Sequence, residues 1–167
     1  RAAAKDLSFT PDCVPCGLSK VSKINPAKVS DAPKASKPME RVHSDMYVMK
    51  SRSLGGAICF ALYVSEFEPF IMLAFLSQQG DQLKAYTNLD AATVTKYGYH
   101  IGYFHSDNGS VYTSDAMQEF LAKNGTAFEP SAPHCQAQNF LAEGTMRIIL
   151  EAGRTAFAHA GPYTPYY

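Results

Sequence analysis

The 167-residue sequence contains no tryptophan and no run approaching eighteen apolar residues, which excludes a membrane-spanning helix. Its opening, RAAAKDLSF, lacks both the apolar core of a secretory leader and an initiator Met. The closing GPYTPYY follows directly on a helical pattern, so the chain is expected to be a piece of a longer protein. Cysteine is sparse. Of the four, Cys59 sits in an apolar run and reads as a small core residue, Cys135 is isolated, and only Cys13 and Cys16 are close together. Nothing there forms a disulfide framework, and a reducing intracellular compartment is expected.

Net charge is absent too, since 15 Lys and Arg balance 15 Asp and Glu, but the balance is not uniform. Residues 1–41 carry eight basic against four acidic side chains, leaving residues 42–167 with seven against eleven. A basic arm leading into an acidic globule suits either a solubilising linker or an arm that touches phosphates. Residues 1–41 also hold five of the ten prolines, and Gly17 to Pro38 shows no periodicity, which reads as a linker. With 46% apolar residues, the remainder has enough material for a packed core. The division expected is an appendage over 1–41 and a folded domain over 42–167.

Within that domain the hydrophobic period changes several times. Val42 to Met49 alternates loosely, Ala57 to Val64 is almost continuously apolar, and Phe70 to Leu76 is a third strand-like run. Their short connections predict an antiparallel meander. Leu83, Tyr86, Asp90, Val94 and Tyr97 then recur at helical spacing, with Asp81 placed to cap the start and Gly98 to stop the end. Ile101 to His105 reads as a fourth strand, Ser114 to Lys123 as a helix, and Thr126 to Glu129 as a fifth strand. A polar loop, Pro130 to Gln138, precedes a long helix from Asn139 to His159. The order β-β-β-α-β-α-β-α predicts an α/β fold, a five-stranded mixed sheet with its first three strands antiparallel and helices on both faces. Strands that return through helices can lie parallel to the first strand.

Three carboxylates stand out, though each alone has an ordinary reading. Asp45 lies within a strand, where Asp is rare unless it is at an exposed edge. Asp107 opens Asp-Asn-Gly, a common turn. Glu143 sits one turn into the last helix, with Arg147 at i+4 as a surface partner. Taken together, a carboxylate on a first strand, one at the tip of a later strand and one on a closing helix can converge at one edge of a mixed sheet. Such hard oxygen donors suit Mg²⁺, and a two-ion site can clamp the attacking and leaving oxygens of a phosphoryl displacement.

Thirty-five residues separate Asp107 from Glu143. That spacing, with Asp45 upstream, resembles the two-Asp, one-Glu signature of retroviral and copia-type retrotransposon integrases. The surrounding words resemble the family as well: His43-Ser44-Asp45; His105-Ser106-Asp107-Asn108-Gly109 with Tyr112; Ser131-Ala132-Pro133-His134; Gln138-Asn139 before Ala142-Glu143; and Arg154-Thr155. The resemblance covers about residues 10–160. It implies a ribonuclease-H-like fold and an integrase catalytic core that trims element DNA at its 3′ ends and joins it to target DNA. Asp45, Asp107 and Glu143 would be both catalytic residues and ligands of Mg²⁺ or Mn²⁺. The implied partner is double-stranded DNA, the intact protein would be a homo-oligomer, and its place would be the nucleus or a virus-like particle. Gln136, Gln138, Asn139 and Arg147, beside the Glu143 turn, are the candidate DNA contacts, placed to hold a phosphate backbone.

Cys13 and Cys16 supply half of a zinc site; a four-coordinate site needs two more ligands. In the family the other two are histidines lying upstream of such a pair, so Zn²⁺ is expected only in the intact N-terminal domain, of which 1–41 would be a remnant. The sequence departs from the family pattern at Phe140, where Gly is usual, and at Gly144, where Arg is usual; Ser65 stands where Asp is frequent. Two other readings therefore stay open: a degenerate or domesticated module that binds DNA or protein without catalysis, and a nuclease resembling ribonuclease H.

Overall fold

The computed structural model describes residues 34–68, 70–131 and 139–160. The arm carrying Cys13 and Cys16, and the loop carrying Gln136 and Gln138, lie outside them. Two compact units are distinguished. Ala27–Met146 is one, and the later part of the last helix belongs to the other.

The first unit is built on five strands: β1 (Arg41–Val48), β2 (Cys59–Ser65), β3 (Ile71–Leu76), β4 (Tyr103–Ser106) and β5 (Ala127–Pro130). Their order across the sheet is β3-β2-β1-β4-β5. β1 and β2 are antiparallel, as are β2 and β3, whereas β4 lies parallel to β1 and β5 parallel to β4. The meander and the returning parallel strands are as the hydrophobic pattern predicts. β2 shows why its sequence runs almost wholly apolar: all seven residues are buried and both edges are paired.

Three helices complete the fold: α1 (Gln82–Tyr97), α2 (Asp115–Lys123) and α3 (Phe140–Ala160). Gly98 ends α1 in the left-handed conformation, φ 80°, and its N–H reaches the Val94 carbonyl at 2.8 Å, the stop expected of it. Asp81 behaves differently from expectation. Its carboxylate makes no cap on α1 and instead accepts bonds from the Gln78 backbone N–H and side-chain amide, both at 3.2 Å, closing a short 3-10 turn ahead of the helix. Ile101, expected inside β4, precedes it; its N–H is taken by the buried Asp90 carboxylate at 3.1 Å, which removes it from the strand ladder.

The core lies on one face of the sheet. Val42, Cys59, Ala61, Tyr63 and Phe104 point to it, and Ala85, Tyr86 and Leu89 of α1 with Met117 and Leu121 of α2 cover it. Their strand positions alternate with those of the opposite face. There Phe60, Leu62 and Val64 are also buried, as are Ala142 and Met146 in the first turns of α3.

Candidate active site

β1 and β4 lie side by side and parallel, with Val42 opposite Phe104 and His43 opposite His105. Two residues further along come Asp45, within β1, and Asp107, just past the end of β4. Because side chains return to the same face every second residue, Asp45 shares the face of the two histidines, and Asp107, just past the end of β4, is near enough for its charge to act on Asp45. The ordinary and the functional readings of Asp107 are both satisfied. Its Oδ1 accepts the Gly109 N–H at 3.1 Å, an Asx turn, and the side chain stays exposed beyond the end of β4. A Cβ at Gly109 would sit 3.0 Å from Asp107 Oδ1, so a larger residue there would have to push the carboxylate aside by a few tenths of an ångström. Asn108 ties the same turn to the end of β5, donating from Nδ2 to the Ser131 carbonyl at 3.1 Å.

Asp45 is half-buried, and its Oδ1 accepts from the Met46 N–H at 2.8 Å. Burial holds its carboxyl above the usual range, the backbone bond opposes that, and the Asp107 carboxylate raises it further. Glu143, exposed on the first turn of α3, is raised by burial and then by Asp45 and Asp107. The three groups therefore lie within one another's electrostatic reach. Among the described residues no three His, Cys, Asp or Glu side chains form a closed cluster around one point. The three acids act on one another electrostatically; their oxygens are the hard donors that Mg²⁺ or Mn²⁺ prefers, and such an ion would relieve their mutual repulsion.

Asn139 fixes the start of α3. It was expected among the DNA contacts, but it is 2% exposed and its Nδ2 donates to the Ser44 carbonyl at 3.1 Å, so it faces β1 rather than solvent. Its own carbonyl receives the Glu143 N–H at 3.0 Å. One residue thus joins the turn carrying Glu143 to the strand carrying Asp45. Replacing Asn139 with Ala should destabilise the domain by about 1–3 kcal/mol, because a buried acceptor loses its donor. Urea titration checks this, and a change under about 0.5 kcal/mol would show that the tether does not hold. Arg147, the other expected contact within the described residues, is exposed one turn beyond Glu143.

Several polar neighbours had no individual role assigned from the sequence. Ser44 and Tyr112 share a hydrogen bond of 3.1 Å beneath the carboxylates, and burial raises the Tyr112 phenol, so it stays neutral. Ser44 alternates with Asp45, which could have assigned it to the core face. On the carboxylate side, Arg41 spans two acids: Nη2 donates to Glu129 Oε1 at 3.2 Å, Nε lies 3.1 Å from Glu129 Oε2, and Nη1 reaches Glu66 Oε2 at 3.3 Å. These contacts join β1 to β5 and to the turn after β2, pairings that only the sheet order reveals. His43 is buried, with its ring 4.9 Å from that of His105. Burial and then the nearby His105 and Arg41 lower its pKa to about 4, so it is neutral near pH 7.

Parallel β1 and β4 carrying neighbouring acids, in a sheet ordered β3-β2-β1-β4-β5, form the ribonuclease-H-like architecture. The profile of the family described as integrase core domain matches residues 35–135, more than half of the chain, and the chain belongs to that family. It is 27% identical over 157 residues to the retrovirus-related Pol polyprotein from transposon RE2 of Arabidopsis thaliana. That match takes in 92% of this chain and 10% of the polyprotein, so the chain spans about a tenth of that relative's length. Among solved structures it resembles the HTLV-2 integrase catalytic core domain, determined in complex with magnesium in a trimeric form. The TM-score is 0.55 at 18% identity, covering 79% of this chain and 80% of that one. No helix among the described residues is long and apolar enough to cross a membrane.

Proposed function

We propose that this integrase core domain is the part of a retroelement polyprotein that processes the 3′ ends of element DNA and transfers them into target DNA. The observation that carries the reading is the placing of Asp45 and Asp107 two residues beyond a paired His43 and His105 on parallel strands, with Glu143 in the same field. Asp45, Asp107 and Glu143 are the residues that would hold Mg²⁺ or Mn²⁺. Such ions, when bound, neutralise charge on the attacking and leaving oxygens of a phosphoryl displacement.

The chain's own residues supply position. The Asx turn at Asp107 and the Asn108 bond to Ser131 hold one carboxylate at the end of β4. Asn139 holds the Glu143 turn against β1. Arg147, with Gln136 and Gln138, is suited to grip DNA phosphates without reading sequence. Cys13 and Cys16 would contribute two of four zinc ligands in an intact N-terminal domain, with 1–41 its remnant and 42–167 the core. Homo-oligomeric assembly on double-stranded DNA, in the nucleus or a virus-like particle, completes the proposal.

The test is a strand-transfer assay with the whole chain, labelled element-end duplex and plasmid target, with Mg²⁺, with Mn²⁺ and with neither. Cation-dependent joined product is expected. Hydrolysis without joining would leave a nuclease, and DNA binding with neither activity would leave a non-catalytic binding module.

A further inference from the structure

Phe140 opens α3 and is 51% exposed. Its neighbours Asn139, Ala142 and Met146 take the inward positions of that turn, so Phe140 is not core held loosely at the surface. Glu143 follows three residues later and Gly144 four, which makes both of them neighbours of the ring on the helix surface, with Cβ positions roughly 5–6 Å apart. At Gly144 an added Cβ would meet nothing within 4 Å, so packing does not demand glycine there. Its effect is to leave bare helix surface one turn beyond the ring. An exposed aromatic flanked by a flat surface therefore stands at the rim of the three carboxylates.

That surface is itself uncharged and apolar, and its occupant must match it. An aromatic ring beside a glycine offers a phosphate neither charge nor hydrogen-bond donor, whereas a nucleobase offers a π face to stack on the ring and is tethered to the backbone whose phosphate would lie at the acids. Bases inside a duplex are already stacked on their neighbours, so the ring has most to offer a base that has left the stack. We propose that Phe140, with the bare surface at Gly144, is a stacking platform for an unpaired base adjacent to the reacting phosphate. This rests on the integrase reading and names how that site grips its DNA. Stacking of this kind is tolerant of sequence, since every base has a π face. It also adds no ionic contact, so it leaves the salt dependence of binding unchanged.

The chain has no tryptophan, so Phe140→Trp introduces a single fluorescent reporter at the platform. Its emission should be quenched by element-end DNA with an unpaired terminal base, and less by the fully paired end. In parallel, 2-aminopurine at the unpaired position should be quenched by the wild-type chain and by Phe140→Tyr, but not by Phe140→Ala or Phe140→Leu. Alanine should raise the KM for the unpaired end by about tenfold, the order expected for one lost base–aromatic stack, with the salt slope unaltered. Because the side chain is exposed, all four variants should melt like wild type. If Phe140→Ala quenches and binds as wild type while the wild-type chain joins DNA, the platform is refuted and the integrase reading stands. If Phe140→Leu matches Phe140→Tyr, the ring is only an apolar contact and stacking is refuted. A wild-type chain with no cation-dependent action on DNA overturns both.

Discussion

Asp45→Asn and Asp107→Asn should each abolish cation-dependent joining, lowering the rate by about a thousandfold or more, while the domain remains folded. The magnitude follows from the several kcal/mol of transition-state stabilisation that a correctly held divalent ion contributes. A merely structural role for Asp45 would predict that the asparagine variant is less stable, and the electrostatics predict the reverse. Burial and Asp107 hold the Asp45 carboxyl above its ordinary value of 3.8. The folded protein therefore binds that proton more tightly than the unfolded chain does. The associated stability is full below 3.8 and is lost as pH rises through the higher folded-state value, so at neutral pH the ionised group opposes folding. Asparagine keeps the shape and removes the charge, so without divalent ions its Tm should exceed that of wild type at pH 7. Mg²⁺ or Mn²⁺ should then raise the wild-type Tm and leave the Asp45→Asn variant nearly unmoved. A variant that melts below wild type without cations, or retains joining activity, would remove Asp45 from the site.

The strands that carry these residues were legible in the sequence, because they sit where local rules are strong. β2 and β3 are apolar runs and β1 alternates loosely, and strand alternation then decides that Asp45 shares a face with His43 while Ser44 turns to the core. Gly98 could be placed because a left-handed stop has few alternatives to glycine. What escaped depends on which strands become neighbours. Arg41 meets Glu129 across 88 positions of sequence, through the order β1-β4-β5, and no local signal encodes that pairing. The tether made by Asn139 is hidden for the same reason. An amide next to a polar loop reads as a surface contact, yet the Ser44 carbonyl, 95 residues away, claims its Nδ2. Asp81 failed more locally: two cap positions lay within a few residues, and the 3-10 turn took the carboxylate first.

Phe104→Ala should be the most damaging single truncation in the first unit, destabilising it by about 3–5 kcal/mol. Phe104 is fully buried at the centre of the short strand β4, and its ring lies 4.5 Å from that of Tyr86, 5.9 Å from Tyr112 and 6.2 Å from Phe128. It thus joins α1, the segment after β4, and β5 through one side chain. Removing it forfeits the transfer free energy of the ring and leaves a cavity walled by large aromatics that cannot easily collapse into it. A domain of this size is held by only about 5–15 kcal/mol, so a large share would go at once. The contrast is Phe75→Ala on the edge strand β3, where the side chain is 64% exposed and truncation should cost about 1 kcal/mol or less. Phe104→Leu, which fills most of the space, should fall between them. The effect should also reach the acids, because Phe104 precedes Asp107 by three residues on the strand that positions it. Joining activity should therefore fall in Phe104→Ala even at temperatures where the variant is still folded, and fall less in Phe104→Leu. Urea midpoints for the three variants, read with activity at a temperature below every transition, decide the matter. A Phe104→Ala cost close to that of Phe75→Ala would mean that the core does not run through β4, and that the placing of Asp107 beside Asp45 has lost its support.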